Sequence, residues 1–219
     1  MSPLFVPKGA IYHNNEEKKR LEGRNGVIQA RFVFSCIDDW TTGSCLTTDT
    51  IKELQRLAVN QIYRCGGHFR DGPVTIENTL REVLHAPPDH TEVGSLVEEM
   101  CGYVNSMWDA MLPVDLAAYV MWRINWIHPF YGGNGRTARS VAHLLLCAKL
   151  GFLLPGKETI PELIAANRNP YYAALRSSDA AWLSGDLDLA DMREMLSGVL
   201  AEQLVRFYAQ ATGMSPVRL

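Results

Sequence analysis

Between Leu116 and Ile127 the chain reads LAAYVMWRINWI, which is apolar on nearly every side of a helix. A helix of this kind has to be covered by other elements all round, as at the centre of a bundle. Pro113 suits its first turn, where a missing N–H costs nothing. Apolar residues recur at helical spacing elsewhere too, at about 50–62, 95–111, 137–150, 161–166, 171–176 and 189–211. The sequence therefore predicts a mainly α fold.

Capping and turn residues indicate where some of these elements begin. Thr50 with Glu53, and Ser95 with Glu98, each form a capping box, so each pair predicts a helix start. The stretch 65–76 reads CGGHFRDGPVTI, with paired glycines, an Asp-Gly turn signal and a β-branched end. These features favour a small β-hairpin inserted among the helices.

The N-terminal part of the chain differs in character from the rest. Its charged segment over 14–22, NNEEKKRLE, predicts a short helix. The glycines and asparagine of 23–26 then favour the left-handed conformation in which helices end. We expect an N-terminal segment, 1–26, followed by one domain, 27–219.

The charge balance and the cysteine pattern exclude several functional classes. Lys and Arg number 21 against 24 Asp and Glu, a net charge of -3, so the broad basic field that nucleic-acid binding requires is absent. The five cysteines include no CxxC pair, which argues against a disulfide framework or a cysteine zinc site. Neither a signal peptide nor a run of about 18 apolar residues is present. We therefore expect a cytoplasmic protein without nucleic-acid or membrane partners.

The stretch IHPFYGGNGRTAR, from Ile127 to Arg139, carries the clearest chemical signal. Pro129 disfavours a helical conformation of the preceding residue, so the apolar helix should end with His128 at the mouth of a loop. The glycine-rich loop leads into the next helix, whose free N–H groups and dipole favour an anion. Arg136 and Arg139 lie three residues apart and project near one face. A histidine beside such a site is typical of a general base next to a bound polyphosphate.

Two other interpretations of this stretch stay open on spacing alone. Each part taken singly is more often a helix end or a plain loop. Residues 133–138 also fit the GxGxxA pattern of dinucleotide folds, with Glu158 about 20 residues further on. That fit is weak, because no βαβ alternation surrounds it, and a Walker lysine is absent.

HPFYGGNGRTAR closely resembles the signature of Fic (Fido) domains, HPF-x-[D/E]-G-N-G-R-x-x-R, and the similarity of organisation extends over about residues 50–180. The resemblance implies a helical bundle with a small β-hairpin flap that registers a target segment. It also implies an enzyme that transfers AMP from ATP to a hydroxyl side chain of a target protein, on Tyr, Thr or Ser. A homo-oligomer is an additional expectation.

The resemblance also implies roles for particular residues. His128 would deprotonate the target hydroxyl, and Phe130 would pack the loop onto the core. The nucleotide would be bound by Gly133, Asn134, Gly135, Arg136, Arg139, Tyr171 and Tyr172. The flap would fall within 67–76 and begin with Gly67, His68, Phe69 and Arg70.

Two features of the resemblance bear on activity. The acidic position of the motif, a magnesium ligand in the family, is Gly132 here. Mg²⁺ is still expected with ATP, but transfer of another phosphate-containing group, or nucleotide binding without turnover, stays open. Lys18 to Gly23 partly resembles the inhibitory helix [S/T]-x-x-x-E-[G/N], in which Glu22 would pair with the second motif arginine, Arg139. A plain solvated helix is the alternative for that segment.

Overall fold

The computed structural model of the chain describes residues 9–41, 46–77 and 80–213. Within them, secondary structure comprises eight helices, a two-stranded antiparallel pair and a 3₁₀ turn at His90–Glu92. The helices are α1 Asn15–Thr41, α2 Thr48–Ala58, α3 Val93–Ser106, α4 Pro113–Ile127, α5 Asn134–Leu150, α6 Ile160–Ala166, α7 Asn169–Leu183 and α8 Ala190–Thr212. The strands are β1 Ile76–Glu77 and β2 Val83–His85. The mainly α prediction is confirmed.

Helix α4 forms the centre of the bundle, as its all-round apolar sequence predicts. Helix α5 packs along it, and α3, α7 and α8 cover its other sides. Its residues from Leu116 to Ile124 are all buried, including Trp122 and Arg123. The Arg123 guanidinium is accommodated because it lies over the Trp126 ring at 4.6 Å and pairs with Glu99. Pro113 stands in the first turn, as expected.

The prediction of a short N-terminal helix was wrong, because α1 continues through the glycines for 27 residues. The buried side chains of α1 recur every four residues at Leu21, Asn25, Gln29, Val33 and Ile37. The amides on this stripe bind backbone carbonyls of the neighbouring segment, Asn25 to that of residue 60 at 2.7 Å and Gln29 to that of residue 54 at 2.8 Å. These long-range contacts outweigh the low helix propensity of glycine. The expected boundary between residues 26 and 27 falls inside this helix.

Several helix starts also differ from those predicted. Helix α2 begins at residue 48 with Thr47 as its N-cap, whose side chain accepts from the Thr50 N–H. Helix α3 begins at residue 93, and the Ser95 hydroxyl donates to a backbone carbonyl within the first turn instead of capping. Helix α5 begins three residues earlier than expected, and α7 extends seven residues further. Helix α5 ends as expected at left-handed Gly151, with φ of 77°.

The two strands lie downstream of the predicted hairpin. Ile76 pairs with His85 and Glu77 with Val83, so β1 begins where the hairpin was expected to end. Residues 65–72 form turns and loop. Gly67 and Arg70 bind helix α2 and the end of α4 respectively, which leaves neither segment available for a ladder. The strand pair therefore lies at Ile76–Glu77 and Val83–His85, after the stretch in which the hairpin was expected.

The continuity of α1 gives a testable prediction. Gly26 is exposed in the helix interior, with nothing near the position of an added Cβ. Gly26→Ala should raise the free energy of unfolding by about 0.5–1 kcal/mol, because alanine loses less backbone entropy in a helix. Urea unfolding measures this change. Gly151→Ala is the control and should destabilise, because φ there is positive. Destabilisation by Gly26→Ala would mean that the helix ends at the glycines.

Candidate active site

Helix α4 ends at His128, which adopts the left-handed conformation with φ of 49° and ψ of 57°. Its N–H still binds the carbonyl of Ile124 at 2.9 Å, so it caps the helix. Pro129 follows, and a helical conformation before proline is disfavoured. The chain therefore turns away abruptly, and the imidazole stands where α4 meets the glycine loop.

The side chain of Arg70 holds this turn in place by binding the last carbonyls of α4. Its side chain is 2% exposed, and its Nε donates to the carbonyl of His128 at 2.9 Å. A second guanidinium nitrogen donates to the carbonyls of Pro88 at 2.5 Å and Ile127 at 3.3 Å. Its backbone N–H binds Pro129 O at 2.9 Å. Arg70, for which the resemblance implies a place in the flap, thus binds the chain where α4 ends.

The loop itself is closed by Asn134 and Phe130. The Asn134 amide donates to the Phe130 carbonyl at 2.7 Å and accepts from its N–H at 3.0 Å. Phe130 is fully buried, against Phe69, as the resemblance implies. Because both polar atoms of the Asn134 side chain are engaged inside the loop, this side chain shapes the loop and does not point out of it. Gly133 forms the N-cap of α5 at φ of 84°.

The two motif arginines differ in their surroundings. Arg136 donates to the carbonyl of Ala58 at 2.6 Å and forms an ion pair with Glu22 at 3.5 Å. Arg139 is 7% exposed, lies over the Tyr171 ring at 5.9 Å, and has an Nε without a hydrogen-bond partner. Burial lowers the pKa of both guanidinium groups. The pairing of Glu22 with Arg139 was therefore wrong, because α1 brings Glu22 to the first arginine.

The two tyrosines of α7 occupy different environments. Tyr171 is 1% exposed, and its hydroxyl accepts from the Asn125 amide at 2.6 Å. Tyr172 is 45% exposed and stacks on Tyr171 at 5.8 Å between ring centroids. The buried Tyr171 ring lies against Arg139, and the Tyr172 ring is partly exposed to solvent.

The position at which the resemblance implies a magnesium ligand carries no side chain, because it is Gly132. Within the described residues, no three or more His, Cys, Asp or Glu side chains cluster in a way that could hold a metal ion. No carboxylate therefore stands at the motif position that would supply an oxygen ligand to Mg²⁺, a cation that prefers oxygen ligands in octahedral geometry.

The Fic/DOC family profile matches residues 45–146, which include the loop and both arginines. The chain contains a Fic/DOC family domain. Protein adenylyltransferase Fic of Drosophila persimilis is 33% identical over 103 residues, covering 46% of this chain and 19% of that protein. The chain thus matches only about a fifth of the length of this curated relative.

Solved structures share the fold of this Fic domain. A Fic-domain signaling protein from Bacteroides thetaiotaomicron superimposes with a TM-score of 0.73 at 22% identity, covering 95% of this chain and 78% of that one. IbpAFic2, in a structure in which it is covalently tethered to Cdc42, gives 0.51 at 17% identity, covering 79% and 55%. In the part of the chain that the structure describes, no helix has the length and hydropathy needed to cross a membrane.

Sequence reasoning missed three residues of the Fic site and misassigned a fourth. The Gln55 amide donates to the carbonyl of Gly132 at 2.9 Å and accepts from the N–H of Gly67 at 2.6 Å. Asn125 supports Tyr171, Tyr63 lies against Gly132, and Arg70 holds the end of α4. Each makes at least one contact with a residue distant in sequence, so no local pattern marks it.

The His128 imidazole is neutral at pH 7. Its pKa is lowered from 6.5 to about 4, chiefly by burial; a hydrogen bond with the Asn125 backbone opposes the shift, and the nearby charges of His85 and Arg70 add to it. A neutral imidazole can accept a proton, which is the form that a general base requires.

This pKa predicts how stability depends on pH. The unfolded state binds the proton below 6.5 and the folded state only below about 4, so stability falls as pH is lowered between them. His128 contributes up to about 1.4 kcal/mol per pH unit to that fall. In urea unfolding between pH 4 and 6.5, His128→Ala should lose this part of the slope. Equal slopes would show that the imidazole ionises alike in both states.

Proposed function

We propose that this chain transfers AMP from ATP to a hydroxyl side chain of a target protein. The observation that carries the proposal is the neutral His128 imidazole at the head of a loop whose following helix begins with Arg136 and Arg139. Curated relatives named protein adenylyltransferase support it at the level of the family.

The chemistry that these residues would perform follows from their positions. His128 takes the proton of the target hydroxyl as its oxygen bonds to the α-phosphorus of ATP. The bond from that phosphorus to the bridging oxygen then breaks, and diphosphate leaves. The first N–H groups of α5 have no partner inside the helix and face negative charge favourably. Arg139, with its unpartnered Nε, adds a positive charge in a desolvated site, where it is worth more than in water.

The strand pair is the surface that we assign to the target segment. His85 at the end of β2 binds the carbonyl of Trp126 at 2.8 Å, two residues before His128, so this pair lies beside the histidine. Val83 and Leu84 are exposed there. IbpAFic2 tethered to Cdc42 supports a protein as the class of substrate. A short strand edge recognises backbone more than side chains, so Tyr, Thr and Ser all remain candidate acceptors.

Labelled ATP separates this function from its alternatives. Label retained from the α-phosphate on a protein indicates AMP transfer, and label retained from the γ-phosphate indicates phosphate transfer. Bound nucleotide without covalent label indicates a nucleotide-binding module, which the glycine at position 132 favours as the second candidate. A lysate of the source cell supplies the targets for this experiment.

His128→Ala should reduce transfer of α-label by at least about 10²-fold, because general-base catalysis contributes about 10²–10⁴ in rate. ATP affinity should stay within a few-fold, since the imidazole acts in the transition state. Label transfer and nucleotide binding, measured separately, check both statements. His13→Ala is the matched control, because it removes an exposed histidine that is distant in sequence from His128, and it should label like the wild type. Near wild-type transfer by His128→Ala would contradict the mechanism.

We further propose that Glu22 inhibits the enzyme by occupying Arg136. The ion pair at 3.5 Å places a carboxylate on a guanidinium that would otherwise face phosphate. Both side chains are partly exposed, so the pair competes with solvent and with ligand.

Glu22→Gly should therefore increase incorporation of α-label, including automodification, because the carboxylate no longer competes for Arg136. The same assay with Glu22→Gln removes the charge and keeps the helix propensity, and it should increase labelling as well. Lys19→Gly is the matched control, because it places glycine on the exposed face of the same helix. Equal labelling by the wild type and both Glu22 variants would show that the segment is only a charged helix.

A further inference from the structure

Tyr63 occupies the space beside Gly132. A Cβ added to Gly132 would lie 2.7 Å from both Cε2 and Cζ of the Tyr63 ring and 2.9 Å from its hydroxyl oxygen. Such distances are well inside van der Waals contact, so any side chain at position 132 requires the ring to move. The glycine and the tyrosine are therefore a sterically matched pair.

The Tyr63 ring is fixed in this place. It is 8% exposed and packs in a cluster with Leu21, Ala58, Val59 and Ile62. Its backbone N–H binds the carbonyl of Val59 at 3.1 Å. The residues on either side of Tyr63 are held by backbone hydrogen bonds. The N–H of Ile11 donates to the carbonyl of Ile62, and the N–H of Arg64 donates to the carbonyl of Gly9, both at 2.9 Å. The ring cannot swing out without opening this cluster.

The hydroxyl of Tyr63 lies beside Gly132, within the range of the site's charges. The charges of Arg136 and Glu22 both act on it. Burial raises its pKa, so it keeps its proton at neutral pH and can donate a hydrogen bond. A phenol in this place presents a donor toward phosphate oxygens, whereas a carboxylate there would need a cation between itself and the phosphates.

We propose that Tyr63 takes the place of the acidic metal ligand, and that this chain binds the phosphates of ATP through Tyr63, Arg136 and Arg139 without a protein-held divalent cation. This inference rests on the proposed function, because it requires that the loop binds a nucleotide. It makes Tyr63 a determinant of metal dependence in this site.

Calorimetric titration of ATP in the presence of Mg²⁺ and in excess EDTA tests the proposal. The full chain carrying Glu22→Gly is used, so that the carboxylate does not compete for Arg136. We expect the two dissociation constants to agree within about two-fold. A loss of ten-fold or more on chelation would overturn the inference and leave nucleotide binding intact. No binding under either condition would overturn the proposed function as well.

Two variants of Tyr63 separate its hydroxyl from its ring. Tyr63→Phe keeps the ring and should weaken ATP binding by about three- to ten-fold both with Mg²⁺ and with EDTA, as loss of one hydrogen bond does. Tyr63→Ala combined with Gly132→Asp should make affinity fall at least ten-fold on chelation, and should bind Mn²⁺ in the presence of ATP by electron paramagnetic resonance. Unchanged affinity in Tyr63→Phe would overturn the role of the hydroxyl.

A thermal experiment tests the steric pairing without any nucleotide. Gly132→Ala should lower the melting temperature, because its Cβ collides with the Tyr63 ring. Adding Tyr63→Ala should make the Gly132→Ala change much less destabilising than it is beside the intact ring. A Gly132→Ala protein that melts with the wild type would show that the ring is free to move, and would overturn the pairing.

Discussion

The whole site depends on the turn at the end of α4, and the guanidinium of Arg70 holds that turn in place. A helix that ends inside a protein leaves its last carbonyls without partners, and burying them unpaired costs about 1–3 kcal/mol each. Arg70 binds the carbonyls of Ile127 and His128 at the end of α4, and its backbone binds that of Pro129. The backbone carbonyls at the abrupt turn that positions the imidazole are therefore satisfied by one residue from a distant loop.

The electrostatics of the loop also depend on which charged groups have partners. Two arginines stand in the first turn and a half of α5, where positive charge opposes the helix dipole. Both are desolvated, and burial alone would favour their neutral form. Arg136 is satisfied by a backbone carbonyl and by Glu22, whereas Arg139 keeps an unpartnered Nε. An arrangement that is unfavourable without an anion becomes favourable when a polyphosphate supplies the missing charge.

The sequence predicts best those features of the structure that residues close together in the chain determine. Proline before the loop, glycine at 151 and the apolar run of α4 act within a few residues, and the structure agrees with each of them. Apart from the starts of α2 and α3, the errors concern elements decided at long range. Glycines 23 and 26 favour a helix end. Helix α1 nevertheless stays intact, because buried Gln29 binds a backbone carbonyl of α2 and buried Asn25 binds one just after α2. The strand register and the Tyr63 ring likewise depend on contacts that no local pattern encodes.

The continuity of α1 links the inhibition proposed for Glu22 to the stability of the helix. Glu22 lies on the same rigid helix as the buried stripe that runs from Leu21 to Trp40, so the whole helix cannot move aside without exposing core residues. The weakest point of the helix is the segment with its two exposed glycines, each costing about 0.5–1 kcal/mol relative to alanine. Separation of Glu22 from Arg136 is therefore cheapest if the turns before Gly26 unwind while the later turns stay packed. The glycines that do not end the helix would then be the hinge at which the inhibition proposed for Glu22 is released.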